Sequence, residues 1–389
     1  MRPKVITGFM VAIEMKTILR LLLVLAVSFC VSCSKAGNEG GGEVVISFYP
    51  KITGTTGSGF NVETDVKSSA LTTANLINFG VYAYSGLANF DPGSSSCSFM
   101  SNLKVYKPEG YGSWIYDGEP ILWPYKNKIS FFAYAPYLPD TGGDFISISY
   151  QKDENSKGAP VLRCEVPAQI DKCTDLLLSL PLYNQELKTN GQIKLNFIHA
   201  LSKFEFYAKT ADAVSDTREY KVEKISLEYV ASNAFFTYPS VTGVSVTPST
   251  FAEAIGNYIV SPNYEEGREY ILTNEDYLIE NTVKKSDKTL PLIRDGYHFY
   301  LIPQMIERNS TLIKDVKITV IYTYNDEYAE EHTLTIQNTL SGVLRGIKKI
   351  EPCKRYRLTF VLSELSGDFN IDTEILPWEA EIIDVPSFD

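Results

Sequence analysis

An all-β fold is what this 389-residue sequence predicts, and three observations carry the prediction. Apolar and polar residues alternate repeatedly with a period of two, a sustained 3.6-residue period is almost absent, and Gly-, Ser- and Thr-rich links separate the alternating runs.

The first run, "EVVISFY", sets Val44, Ile46 and Phe48 on one face and Val45, Ser47 and Tyr49 on the other. A Gly/Thr/Ser-rich link follows from Lys51. The run "ISFFAYAPY" sets Ile129, Phe131, Ala133 and Ala135 against Ser130, Phe132 and Tyr134, so both of its faces are apolar and a central, doubly covered strand is expected. Pro136 ends it for want of an N–H. Read this way, the aromatic stretch from Trp123 to Tyr137 is core and not an exposed platform for a ligand. Ile193, Leu195 and Phe197 mark a further strand, and Phe204, Phe206 and Ala208 the next. Val316, Ile318, Val320, Tyr322 and Tyr324 alternate before an acidic "NDEYAEE" link and are answered by "HTLTI" from His332. Near the C-terminus, Tyr356, Leu358, Phe360 and Leu362 turn through "LSGD" into Phe369, Ile371, Thr373 and Ile375, a complete hairpin pattern. The polar "KTADAVSDTRE" link from Lys209 separates two strand-rich halves. The expected domains are therefore 44–210 and 211–389.

Composition bounds the function. The chain is 44% hydrophobic, 12% aromatic and 21% charged, enough to bury sizeable cores. Its formal net charge is −11, without a basic block interleaved with aromatics, so nucleic acid is not an expected partner.

The N-terminal segment reads as a secretory signal: Lys16 and Arg20 precede an apolar stretch, Leu21 to Phe29, which falls short of the ~20 residues that span a bilayer. Met15 is the expected true start, within a signal peptide spanning 1–32. Val31 and Ser32 before Cys33 resemble a bacterial lipobox, with Cys30 departing from the usual Leu; lipidation of Cys33, a palmitate among its acyl chains, competes with an ordinary cleaved signal. The polar, Gly-rich 33–43 reads as a flexible tether. Cys97, Cys164, Cys173 and Cys353 show no C-x-x-C spacing, and free thiols are expected.

No chemistry announces itself. The three histidines, His199, His298 and His332, sit in no catalytic pattern, and G-x-S-x-G, H-E-x-x-H, P-loop and dinucleotide motifs are all missing from the sequence. The expectation is a non-enzyme with no cofactor and no metal. His199, between two apolar strands, reads as a hydrogen-bonded structural residue. The carboxylates of "NDEY" read as solvated charge in a turn.

Several stretches in order resemble the fimbrillin family, the subunits of type V pili. They are "NFGVYAY" (Asn78 to Tyr84), "FMSNLKV" (Phe99 to Val105), "WIYDGEPILWPYKNKISFFAYAPY" (Trp114 to Tyr137), "DLLLS" (Asp175 to Ser179), "NFIHALSKFEF" (Asn196 to Phe206) and "PWEAE" around Trp378. The resemblance implies two consecutive transthyretin-like β-sandwiches, a lipoprotein precursor sent to the outer membrane, and assembly into a cell-surface fimbrium by strand exchange. Other fimbrial subunits, the outer membrane and a host or bacterial surface ligand are the implied partners. The strand removed in that scheme would be Val44, Val45, Ile46, Ser47, Phe48 and Tyr49. No Arg lies between Arg20 and Arg163, so the Arg-specific maturation of some family members has no site, and Lys51 or Lys67 are the basic alternatives. The C-terminal hairpin and the tail from Trp378 to Asp389 are candidates for the donated strand, against the plainer reading that they close the last sheet. A surface glycan-binding lipoprotein is the competing function.

Overall fold

The computed structural model describes residues 44–52, 76–139, 157–187, 190–212, 214–215, 217–238, 260–264, 267–279, 282–285, 288–364 and 370–378. Signal segment, tether, Cys33 and Lys67 lie outside them. No helix among these residues is long and apolar enough to cross a membrane.

The strands of the first half are β1 (Ser47–Ile52), β2 (Asn78–Gly86), β3 (Met100–Tyr106), β4 (Ile115–Tyr116), β5 (Lys128–Ala135), β6 (Val161–Glu165), β7 (Leu177–Ser179), β8 (Leu182–Gln185) and β9 (Gln192–His199). Those of the second half begin with β10 (Ser202–Thr210), β11 (Glu219–Ala231), β12 (Asn233–Thr237), β13 (Val260–Pro262), β14 (Gly267–Thr273), β15 (Thr282–Lys284) and β16 (Leu290–Pro291). They continue with β17 (Phe299–Leu301), β18 (Gln304–Met305), β19 (Lys317–Asn325), β20 (Glu331–Thr339), β21 (Lys349–Ile350), β22 (Lys354–Leu362) and β23 (Asn370–Pro377).

One sheet runs β1-β9-β7-β5-β2-β3-β4, with β8 also on β5. Two others, β16-β10-β22-β23 and β14-β11-β19-β20, come from the second half, and β6 joins β12 and β13 in a small sheet that crosses between the halves. The architecture is all-β and sandwich-like, as the alternation predicts. Sheet membership changes at Ala200–Leu201 and not after 210, because β10 pairs in parallel with β22 from Lys203↔Arg355 to Thr210↔Leu362. The polar link after Lys209 marks the end of that strand. A turn in sequence records where a strand stops, not which sheet it joins.

The core positions are those the alternation selects. In β5, Ile129, Phe131, Ala133 and Ala135 enter one apolar cluster, while Phe132 and Tyr134 enter a second on the opposite face. The aromatics of β5 are thus interior and Trp123 is buried, donating Nε1–H to the Asn127 carbonyl at 3.2 Å, whereas Tyr125 is 79% exposed. The hairpin β22–β23 keeps the expected register, Tyr356↔Ile375, Leu358↔Thr373 and Phe360↔Ile371. β19 and β20 pair from Lys317↔Thr339 to Asn325↔Glu331.

Candidate functional site

The first strand is the part of the fold whose local chemistry points to a task. Its side chains alternate as the sequence predicts: Ile46, Phe48 and Ile52 are buried, whereas Val45 is 44% and Tyr49 48% exposed. Phe48 meets three rings edge-on, Phe131 at 6.0 Å, Phe79 at 6.2 Å and Tyr116 at 6.3 Å between centroids. Such edge-to-face contacts add about 0.5–1.5 kcal/mol each beyond burial.

The backbone is held on two sides by different partners. From Ser47↔Gln192 to Ile52↔Phe197 the strand pairs in parallel with β9. Just before β1, Ile46 N–H donates to Ile121 O at 2.9 Å, and Trp123 N–H donates to Val44 O at 2.8 Å. Tyr116 ties the same place by donating its hydroxyl to Ile46 O and accepting from Ile121 N–H, both at 3.0 Å. Burial raises the pKa of that phenol, which keeps the proton it donates. Gly191 permits the close approach: at φ +63° its carbonyl accepts from Ser47 N–H at 3.1 Å, and a Cβ there would lie 2.2 Å from Val45 O.

Of the residues expected to form the removable strand, Val44 to Tyr49 all lie on this segment, and the ladder continues through Pro50, Lys51 and Ile52. Lys51 was expected in a link; it lies inside the strand, opposite Asn196 and solvent-exposed. A protease acting there would have to peel the strand first. Pro50 hides the continuation in the sequence, yet at an edge strand a residue without an N–H loses little.

A buried polar group lies at the end of β9. His199 Nδ1 is 2.7 Å from Asp175 Oδ2, with side-chain exposures of 1% and 0%. The His199 ring lies flat on Trp378, centroids 3.9 Å apart and planes at 9°, and Trp378 also stacks on Tyr300 at 5.4 Å and 12°. Cys353 Sγ donates to the backbone oxygen of His199 at 2.9 Å and not to its ring, and burial pushes that thiol's pKa up. The arrangement holds chain segments together and presents no thiolate to the imidazole. Sequence reading found the structural role of His199 but neither partner; Asp175 and Trp378 stand in separate motifs that no spacing rule connects. Among the described residues no disulfide forms, and burial raises the Cys173 thiol to about 12.

Asp326, Glu330 and His332 bring three potential metal-ligand atoms within 4.8 Å of one another at the β19–β20 turn. Asp326 already accepts from the backbone N–H groups of Tyr328 and Glu330, each at 2.9 Å, and lies 2.9 Å from His332 Nε2. Those bonds, the His332 one foremost, lower its pKa and account for its place as a turn-former.

His298 titrates abnormally. Burial first, then the charge of Lys203, pushes its pKa down to about 4 from an ordinary value near 6.5. Between those values the unfolded chain binds a proton that the folded chain refuses, so stability is full above pH 6.5 and falls as the pH drops toward 4. A loss of roughly 2 kcal/mol is expected after allowance for partial exposure. Urea unfolding of wild type and His298→Gln from pH 7 to pH 4 checks it: the variant should lack this decline.

A fimbrillin-like family model matches residues 62–378. The fimbrium subunit Fim1C of Phocaeicola vulgatus is 24% identical over 378 residues, covering 91% of this chain and 94% of that protein. The structure of a fimbrial protein from Bacteroides vulgatus superposes with a TM-score of 0.59 at 20% identity, covering 87% of this chain and all of that one. That likeness shows a shared fold.

Proposed function

The chain belongs to the fimbrillin-like family, and from that premise we propose that it is a fimbrial subunit that polymerises by exchanging strands at the slot now filled by β1. The observation that carries the reading is the construction of β1: large apolar side chains drop into one core on alternate positions, its main chain is laddered to β9, and Val44 and Ile46 just before it are bonded to the 121–123 segment. A strand so held can be replaced by another with the same alternation, since main-chain bonds supply affinity and the pockets of Ile46, Phe48 and Ile52 supply register. Left empty, the slot would expose an unpaired edge over an apolar floor, a state that selects strongly for refilling.

In this reading export runs through the signal segment and an acyl anchor at Cys33 to the outer membrane. The sheets before and after Ala200–Leu201 act as two consecutive transthyretin-like sandwiches, and maturation cuts the link after Ile52 at a site other than Arg, with Lys67 the basic candidate. Burial of Trp123, Phe131, Phe132 and Tyr134 takes away most of the platform that a glycan-binding reading would use, leaving Tyr125 exposed.

The test is to express residues 34–389, cut the 53–75 link with a Lys-specific protease, and run the product unboiled on an SDS gel. A ladder of stable oligomers appearing only after the cut is expected. A cut chain that stays monomeric while shedding β1 would overturn strand exchange at this slot.

A further inference from the structure

We infer that the first and last described strands are energetically coupled through β9, so that withdrawing β1 loosens the C-terminal strand at its anchor, Trp378. The inference rests on the reading of β1 as a removable strand, and concerns how that removal is felt elsewhere in the chain.

β9 lies between β1 and β7, and its two edges are unequally held. β1 pairs with it from Gln192 to Phe197, whereas β7 pairs only at Phe197, Ile198 and His199, with one more bond from Leu180 N–H to Asn196 O at 2.7 Å. Among the described strands, Gln192 to Leu195 have no ladder partner but β1. Without β1, the inward Ile193 and Leu195 also lose the neighbours Phe48 and Ile46 in their shared core. β9 then becomes a poorly tied edge.

His199, the last residue of β9, is two positions beyond the last one that β1 holds. Its ring is one of the two on which Trp378 stacks, and its carbonyl accepts the Cys353 thiol. Cys353 in turn accepts the Trp378 N–H on its own carbonyl at 2.8 Å. Both the side chain and the backbone of Trp378 therefore lead back to His199.

Elsewhere β23 is an edge strand, laddered to β22 from Pro377 to Asn370. It pairs with β22 alone, and its cross-strand ion pairs, Lys209–Asp372 and Arg357–Glu374, are solvent-exposed. Exposed pairs of that kind contribute little. Thr373 adds one bond to the Val343 carbonyl at 2.9 Å. Its far end is tied by Trp378, a residue whose seat is built on β9. Moving β9 changes that seat directly, a contiguous path of packed and bonded groups and not mere proximity.

Coupling of this kind is reciprocal. Weakening β1 must loosen Trp378, and weakening the Trp378 seat must loosen β1 by the same factor. Hydrogen exchange of the full 34–389 chain, read in peptides covering 44–52, 370–378 and, as a reference, β20, tests both directions without polymerisation. Gly191→Ala, which crowds Val45, is expected to speed exchange in 44–52 and, about fivefold or more, in 370–378. His199→Ala is expected to do the same in reverse, while β20 stays protected in both. Val320→Ala, buried in the β11–β19 sheet, serves as a control for general destabilisation and should not single out 370–378. If Gly191→Ala opens 44–52 and leaves 370–378 at the wild-type rate, the coupling is wrong. That result would leave strand exchange standing, just as a failed oligomer ladder would leave the exchange data standing.

Discussion

Phe48→Ala should lower the free energy of unfolding by about 3–5 kcal/mol, the range for truncating a fully buried Phe whose site cannot collapse. The ring is 2% exposed and wedged between Phe79, Phe131 and Tyr116, residues of three different strands. None of the three can close the gap without giving up its own ladder, so most of the cavity should persist. Tyr49→Ala is the internal control: one residue on, on the outer face, it donates nothing to the core and loses only an exposed contact with Gln192, whose Nε2 lies 3.2 Å from its hydroxyl. A change within ~0.5 kcal/mol is expected there. Urea unfolding with unchanged m decides between them. A cost below ~1 kcal/mol for Phe48→Ala would mean that the first strand is an accessory to the core, and the affinity of the slot for any replacement strand would be weak in proportion.

What the sequence made legible was everything local. Period-two alternation placed the faces of the first strand, the doubly buried β5, and the hairpins β19–β20 and β22–β23, because each is decided by residues within a few positions of one another. It did not reveal that β1 lies parallel to β9 or β10 parallel to β22. A strand's alternation says which side chains are buried, and is silent about the partner on its edge. For the same reason the polar link after Lys209 is legible as the end of β10 but not the parallel pairing of β10 with β22 that precedes it. Lys51 was placed in the link and lies in the strand, because Pro50 before it is tolerated at the edge position. The site at His199 was half legible: an isolated His between apolar strands implies a bonded partner, but Asp175 precedes β7 and Trp378 follows β23, and only the sheet topology brings them together.

That same site carries the second large expectation. Asp175→Ala removes the carboxylate beside His199 and leaves Nδ1 in a fully enclosed place that water does not reach, so the loss is more than one hydrogen bond: the cost of stranding the imidazole is added. Breaking a buried pair from one side costs about 3–5 kcal/mol. Asp175→Asn retains an oxygen at about the same distance and should recover part of that loss. Trp378 reports the event independently, since its indole lies flat on the ring that Asp175 orients; emission should shift to the red in Asp175→Ala and less in Asp175→Asn. If Asp175→Ala unfolds within ~1 kcal/mol of wild type and the Trp378 emission does not move, His199 is held by its stacking alone. The side-chain link from β9 to Trp378 would then stand without Asp175, beside the backbone link through Cys353, and the carboxylate would add nothing to the seat of the C-terminal strand.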